Sequence, residues 1–161
     1  MNLASPRSLF FLAFLACAAM LGTGFYLQYM VGLEPCPLCI LQRIFFAGCG
    51  LFSLIAALHG RAPRVYSVLI LLCALGGAGT AGRQVWLQTL PPDQLPSCLP
   101  PLEYMMESMP YADIIWTMFH GSADCAEVSW TLLGLSIPEW SLLAFIGFAL
   151  FAVVQFFRRR G

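Results

Sequence analysis

CPLCILQRIFFAGCGLFSLIAAL, residues 36 to 58, is an apolar run with a single charge, Arg43, set behind a C-x-x-C pair at its leading edge. As a helix rising about 1.5 Å per residue it can cross roughly 30 Å of hydrocarbon. Three further stretches read the same way: Ser8 to Leu33, Val65 to Gly82 and Trp140 to Phe157 hold no charged residue. Composition agrees, because 60% hydrophobic and 10% charged residues, with a mean hydropathy of +0.79, leave too little polar surface to clothe a soluble globule. Backbone groups in lipid have no water to pair with, so such runs must be helical. The expected fold is an all-α membrane protein, a four-transmembrane-helix bundle forming one domain over residues 1–161. Its spans fall at about 9–30, 40–58, 65–83 and 140–157, with a short outer loop at 31–39 and a long one at 84–139.

Local signals support that frame. The first run continues far past the apolar core of a secretory signal, and Phe14-Leu15-Ala16 before Cys17 is a poor lipidation signal, so it is read as a retained span. Ser136-Ile137-Pro138-Glu139 reads as a capping box with proline in the first turn, opening the fourth span. Gly76, Gly77, Gly79 and Gly82, with Ala78 and Thr80, offer small faces for close helix packing.

The chain has no lysine, and Arg7, Arg61, Arg64 and Arg158 to Arg160 flank helix ends that four spans bring to one side. Short arginine-rich loops stay in the cytoplasm, which puts both termini there. Every acid, from Glu34 to Glu139, falls on the other side, so a formal charge of zero hides an acidic outer face. No nucleic-acid partner is expected.

The cysteines divide by depth. Cys17, Cys49 and Cys73 lie within spans and read as small packing residues. Cys36, Cys39, Cys98 and Cys125 all fall on the outer side, where an oxidising compartment would let them pair in three ways. Adjacency favours Cys36 with Cys39, which leaves Cys98 with Cys125. A Cys98–Cys125 bridge would stabilise the long loop by roughly 3 to 4 kcal/mol, reason enough for a structural role. A Cys36–Cys39 bridge closes a tiny ring and constrains almost nothing. No metal is expected, since the second pair lacks the C-x-x-C spacing of a zinc ribbon.

Reactive thiolates need a helix N-terminus or a nearby cation. Cys39, in the first turn of the second span with Arg43 one turn on, meets both conditions. An arginine just inside a span either serves a site or snorkels to the interface. Arg83, closing the third span, either shares that site or anchors the helix end, and Gln84, Trp86 and Gln88 after it fit the edge of an outer pocket or an interfacial belt. Prolines at 91, 92, 96, 100, 101 and 110 keep the first half of the long loop extended, and Cys98 sits where another protein can grip that backbone. Tyr111, Ile114, Ile115 and Met118 repeat at helical spacing, with Trp116 and Phe119 alongside. They fit a short helix lying on the bilayer surface or capping the bundle.

Leu33-Glu34-Pro35-Cys36-Pro37-Leu38-Cys39 followed by Arg43, Cys98 in a proline-rich outer loop, and Asp124-Cys125-Ala126-Glu127 leading through Trp130 and Leu133-Gly134-Leu135 to Pro138 and Trp140 together resemble the DsbB family of bacterial inner-membrane disulfide bond formation proteins. The resemblance implies a relay. A reduced periplasmic DsbA-like thiol oxidase attacks Cys98, the displaced Cys125 attacks Cys36, and Cys39 is released beside a membrane quinone, ubiquinone or menaquinone, with Arg43 stabilising negative charge. It also implies Arg83, Gln84 and Trp140 as cofactor-binding residues, Gln84 at the best match to a histidine placed by the quinone in some members, and Trp140 with Ile137 as apolar walls. DsbA-type oxidases lie near about −120 mV and structural disulfides below about −300 mV, so oxidising the first with the second is uphill by roughly 8 kcal/mol. Either the protein raises the potential of its disulfides or the quinone pulls the exchange forward. Two other classes fit the residues: a non-catalytic tetraspan protein with structural outer disulfides, and a related thiol oxidoreductase with another acceptor or a dedicated client.

Overall fold

The computed structural model describes residues 5–60, 62–95, 102–128 and 130–158. Four long apolar helices, each able to cross a membrane by length and composition, form the body: α1 (Pro6–Tyr29), α2 (Pro37–His59), α3 (Pro63–Gln88) and, after the long loop, α6 (Ile137–Phe157). The chain is thus an all-α, multi-pass membrane protein.

Proline opens all four, where its missing N–H costs nothing and its fixed φ suits the first turn. Ser5 caps α1, its Oγ accepting from Ser8 N at 3.3 Å. Gly60 ends α2 in the left-handed conformation, φ 62°. Arg7 of α1 donates to the Ala57 and Leu58 carbonyls at 3.0 and 3.3 Å, satisfying carbonyls that the end of α2 leaves open. At α6 the expected capping box is present, with Glu139 Oε2 accepting from Ser136 N at 2.6 Å. The third helix runs on to Gln88, beyond residue 83 where its apolar run ends. Arg83 is a charge and not a helix breaker, and the first breakers are Pro91 and Pro92.

The helices pack in the order α1 on α2, α2 on α3 and α3 on α6. Phe46 of α2 stacks on Phe145 of α6 with centroids 4.0 Å apart, and Phe10 of α1 meets Phe151 of α6 edge to face at 5.6 Å, which closes the bundle. Gly76 and Gly77 make this packing possible, because a Cβ there would lie 2.5 Å from Phe45 and 2.2 Å from Phe145. A Cβ at Gly79 or Gly82 would meet nothing within 4 Å, so of these four glycines only Gly76 and Gly77 are required by the packing.

The long loop carries α4 (Leu102–Ser108) and α5 (Tyr111–His120), then a 3-10 turn at Ala123–Cys125 and a hairpin of β1 (Thr131–Leu132) and β2 (Leu135–Ser136). Its two-residue turn, Leu133 and Gly134, takes positive φ at both positions, as such hairpins require. Helix α5 has two faces: Ile114 and Met118 are buried with Met105 against Ile40 and Leu41, whereas Tyr111, Ile115 and Trp116 are exposed. The same ten residues therefore cap the bundle and present an apolar outer face.

Candidate functional site: three cysteines over an amide pair and an arginine

The first turn of α2 organises the site. Cys36 is its N-cap, with extended backbone, and its carbonyl accepts from Ile40 N at 3.1 Å. With Pro37 at the first helical position, Cys39 falls on the same turn, and its sulfur lies 3.1 Å from that of Cys36. Both sulfurs sit where the unpaired N–H groups and positive end of the helix favour negative charge.

The third sulfur arrives from the long loop. Gly121, φ 77°, lets the chain press against α2 and α3 so closely that a Cβ would lie 2.8 Å from Leu87 and 2.9 Å from Leu38. The 3-10 turn that follows, with Cys125 N donating to Ser122 O at 3.0 Å, delivers Cys125 into a wholly buried position beside Leu38, Leu87 and Cys36. Cys36 is thus flanked by Cys39 on its own helix and by Cys125, each within hydrogen-bonding reach. The Cys125 thiol is lowered to about 6, chiefly by its hydrogen bond with Cys36, with help from backbone groups of Ser122 and Leu38 and against the effect of burial. The Cys36 thiol is pushed up, because it keeps the proton it shares with Cys125 and Cys39. The arrangement sets one loop sulfur within reach of Cys36, where a thiolate can attack a disulfide. Cys98 lies outside the described residues.

Beneath the cysteines are two buried glutamines. Gln42 Nε2 donates to Gln84 Oε1 at 2.8 Å, and Gln84 Nε2 reaches the sulfurs of Cys36 and Cys39 at 3.4 and 3.3 Å. Beside them Arg43 donates to the Gly24 carbonyl at 2.9 Å and to Gln28 Oε1, and its guanidinium lies over the Phe25 ring. These partners are all neutral. No described carboxylate neutralises this cation, which lies inside a membrane helix.

Cys36, Cys39, Gln42, Arg43 and Gln84 share one cavity of about 570 Å³, whose other walls come from α1, the long loop and the first turns of α6. Trp140 and Ile137 line it, and Trp140 is fixed by donating its indole N–H to the Leu132 carbonyl at 3.0 Å. Glu34, Asp124 and Glu127 also face the cavity. The volume suits an organic ligand of moderate size, with apolar walls to hold a ring and Arg43 to meet a negatively charged oxygen. Arg83 is not among the lining residues. It donates to the His120 carbonyl at 3.4 Å and lies over the Trp86 ring, joining α3 to the end of α5.

Reading the sequence overlooked Gln42 and Gln28. The available signal was that an amide inside an apolar helix must find a partner, and Gln42 and Gln84 are each other's.

Known proteins resemble the chain along its length. The family model described as "Disulfide bond formation protein DsbB" matches residues 6–155. "Disulfide bond formation protein B 1" of Pseudomonas aeruginosa is 60% identical over 162 residues, covering 99% of each chain. "Disulfide bond formation protein B" of Stutzerimonas stutzeri is 56% identical over 99% of each chain, and that of Hahella chejuensis 54% identical over 88% of each.

Proposed function

The chain belongs to the DsbB family and acts in disulfide bond formation, and from that premise we propose that it is a membrane thiol:quinone oxidoreductase that reoxidises a periplasmic DsbA-like dithiol protein. The observation that carries the reading is the position of Cys36 between two sulfurs, at the wall of a cavity whose Arg43 is held, among the described residues, by neutral partners.

In this reading Cys36–Cys39 and Cys98–Cys125 are the two oxidised pairs at rest. A thiolate of the reduced partner attacks Cys98. The Cys98–Cys125 bond breaks, a mixed disulfide forms, and Cys125 leaves as a thiolate, which keeps its hydrogen bonds with Ser122 and Leu38 while Cys36, bonded to Cys39, has no proton to donate. Cys125 then attacks the adjacent Cys36, which joins Cys36 to Cys125 and frees Cys39 as a thiolate at the cavity wall. The partner's second thiol displaces Cys98 and leaves with its own disulfide. Cys98 then attacks Cys125, which restores Cys98–Cys125 and frees Cys36, and the Cys36/Cys39 dithiol re-forms its disulfide by giving up two electrons and two protons, for which a quinone held in the cavity would be the acceptor; the net change is one partner dithiol oxidised and one quinone reduced. Arg43 holds negative charge at the cavity wall, Gln84 faces the sulfurs, and Trp140 with Ile137 forms an apolar side. Arg83 is assigned to anchoring α3. The orientation that suits this chemistry has the cysteines on the periplasmic side of the inner membrane and both termini in the cytoplasm.

The test is quinone reduction by purified protein given a reduced DsbA-like thiol protein. Stoichiometric turnover that disappears in Cys39→Ala and in Cys98→Ala is expected. Oxidation of the thiol protein that proceeds equally well without quinone, or no oxidation at all, rules the proposal out.

A further inference from the structure

A raised potential of the Cys36–Cys39 disulfide is one of the two ways in which electrons can be drawn from a strongly oxidising partner, and the buried amide pair supplies a local means. An amide offers two N–H donors and one carbonyl acceptor. Gln42 Nε2 donates to Gln84 Oε1 at 2.8 Å, which ties the two amides together: turning the Gln84 amide alone would set two N–H₂ groups against each other. Its N–H₂ edge therefore faces Cys36 Sγ at 3.4 Å and Cys39 Sγ at 3.3 Å, while Cys39 Sγ also lies 3.6 Å from Gln84 Oε1. Both glutamines are almost wholly buried, Gln42 3% and Gln84 4% exposed, so water offers their polar atoms little alternative.

These contacts do not weigh equally on the two redox states. A thiolate accepts N–H donation far better than a disulfide sulfur does, and a thiol can also give its proton to Oε1, which a disulfide cannot. We propose that Gln84, locked in orientation by Gln42, is a positioning residue that stabilises the reduced Cys36/Cys39 pair and so makes its disulfide a stronger oxidant. The inference rests on the reading that this pair cycles between dithiol and disulfide. It gives Gln84 a role toward the sulfurs that is separate from any contact with the acceptor.

The experiment measures the Cys36/Cys39 equilibrium alone, in full-length protein carrying Cys98→Ala and Cys125→Ala, purified in detergent and freed of quinone. The protein is equilibrated across a series of glutathione buffers and trapped by alkylation, with the modified peptides counted by mass. In the exchange two glutathione thiols and one Cys36–Cys39 disulfide give one glutathione disulfide and the dithiol. Gln84→Leu removes the donors. Gln84→Glu keeps an acceptor for Gln42 and replaces the donors with a carboxylate. Gln42→Leu leaves the Gln84 amide free to turn.

The expected result is an equilibrium constant for reduction about tenfold lower in both Gln84 variants, equal to about 30 mV, and about threefold lower in Gln42→Leu, with thermal unfolding of the detergent-solubilised protein close to that of the parent. Constants within twofold of the parent in every variant that folds overturn the role of Gln84 and leave the redox reading standing. A parent pair that forms no disulfide anywhere in the series overturns both.

Discussion

Replacing Arg43 with leucine probes the cation of the cavity directly. In the structure the guanidinium is held by two carbonyl oxygens, from Gly24 and Gln28, and by the face of Phe25, and no described carboxylate neutralises it. A negative oxygen brought within hydrogen-bonding distance would meet the full charge of a half-buried guanidinium, and a charge-assisted hydrogen bond contributes about 1.5 to 3 kcal/mol. At 1.4 kcal/mol per factor of ten, Arg43→Leu should lower kcat/KM for quinone by roughly 10- to 150-fold. Lysine keeps the charge but loses the fork that spans Gly24 and Gln28, so Arg43→Lys should lose less than Arg43→Leu, about three- to tenfold. The assay is steady-state quinone reduction with a saturating reduced thiol partner, varying quinone. Because Arg43 also ties α1 to α2, thermal unfolding of each variant is followed in detergent. If the leucine variant keeps a kcat/KM for quinone within threefold of wild type while folding normally, the cavity does not use this cation.

Two further outcomes follow from the geometry. With its thiol at about 6, Cys125 is mostly thiolate at pH 7 and loses that form as pH falls through 6, so its alkylation rate in the reduced protein should have a midpoint near 6. In Cys36→Ala, which removes the largest cause of the shift, that midpoint should rise toward the ordinary value of 9.0, and an unmoved midpoint would contradict the contact. Gly77→Ala should destabilise the bundle by at least about 1 to 3 kcal/mol, since the added methyl meets the buried ring of Phe145, whereas Gly79→Ala, which meets nothing within 4 Å, should be neutral or slightly stabilising; equal melting temperatures would refute the packing.

What could be read from the chain and what could not divide along the range of the interactions. Four apolar runs, the proline starts and the Ser136–Glu139 box are local signals, and each produced a helix or a cap near its expected place. Cys36, Cys39 and Arg43 belong to one helical turn and its successor, so their shared site was also legible. The approach of Cys125 to Cys36 was legible only through the family resemblance and not from local pattern, because it depends on Gly121 seating the loop against Leu38 and Leu87, a contact between segments far apart in the chain. Gln42 and Gln84 pair between α2 and α3 for the same reason. Composition suggested four useful glycines in α3, but only Gly76 and Gly77 face aromatic rings, which helix rotation decides and residue type does not.

The central claim is that the two pairs exchange through Cys36 and Cys125. It is tested most directly by isolating Cys39→Ala from membranes, blocking free thiols at once and mapping the disulfide-linked peptides. Without its helix partner, Cys36 should be found bonded to Cys125, with Cys98 free and alkylated. A Cys98–Cys125 bridge beside an alkylated Cys36 would contradict the relay.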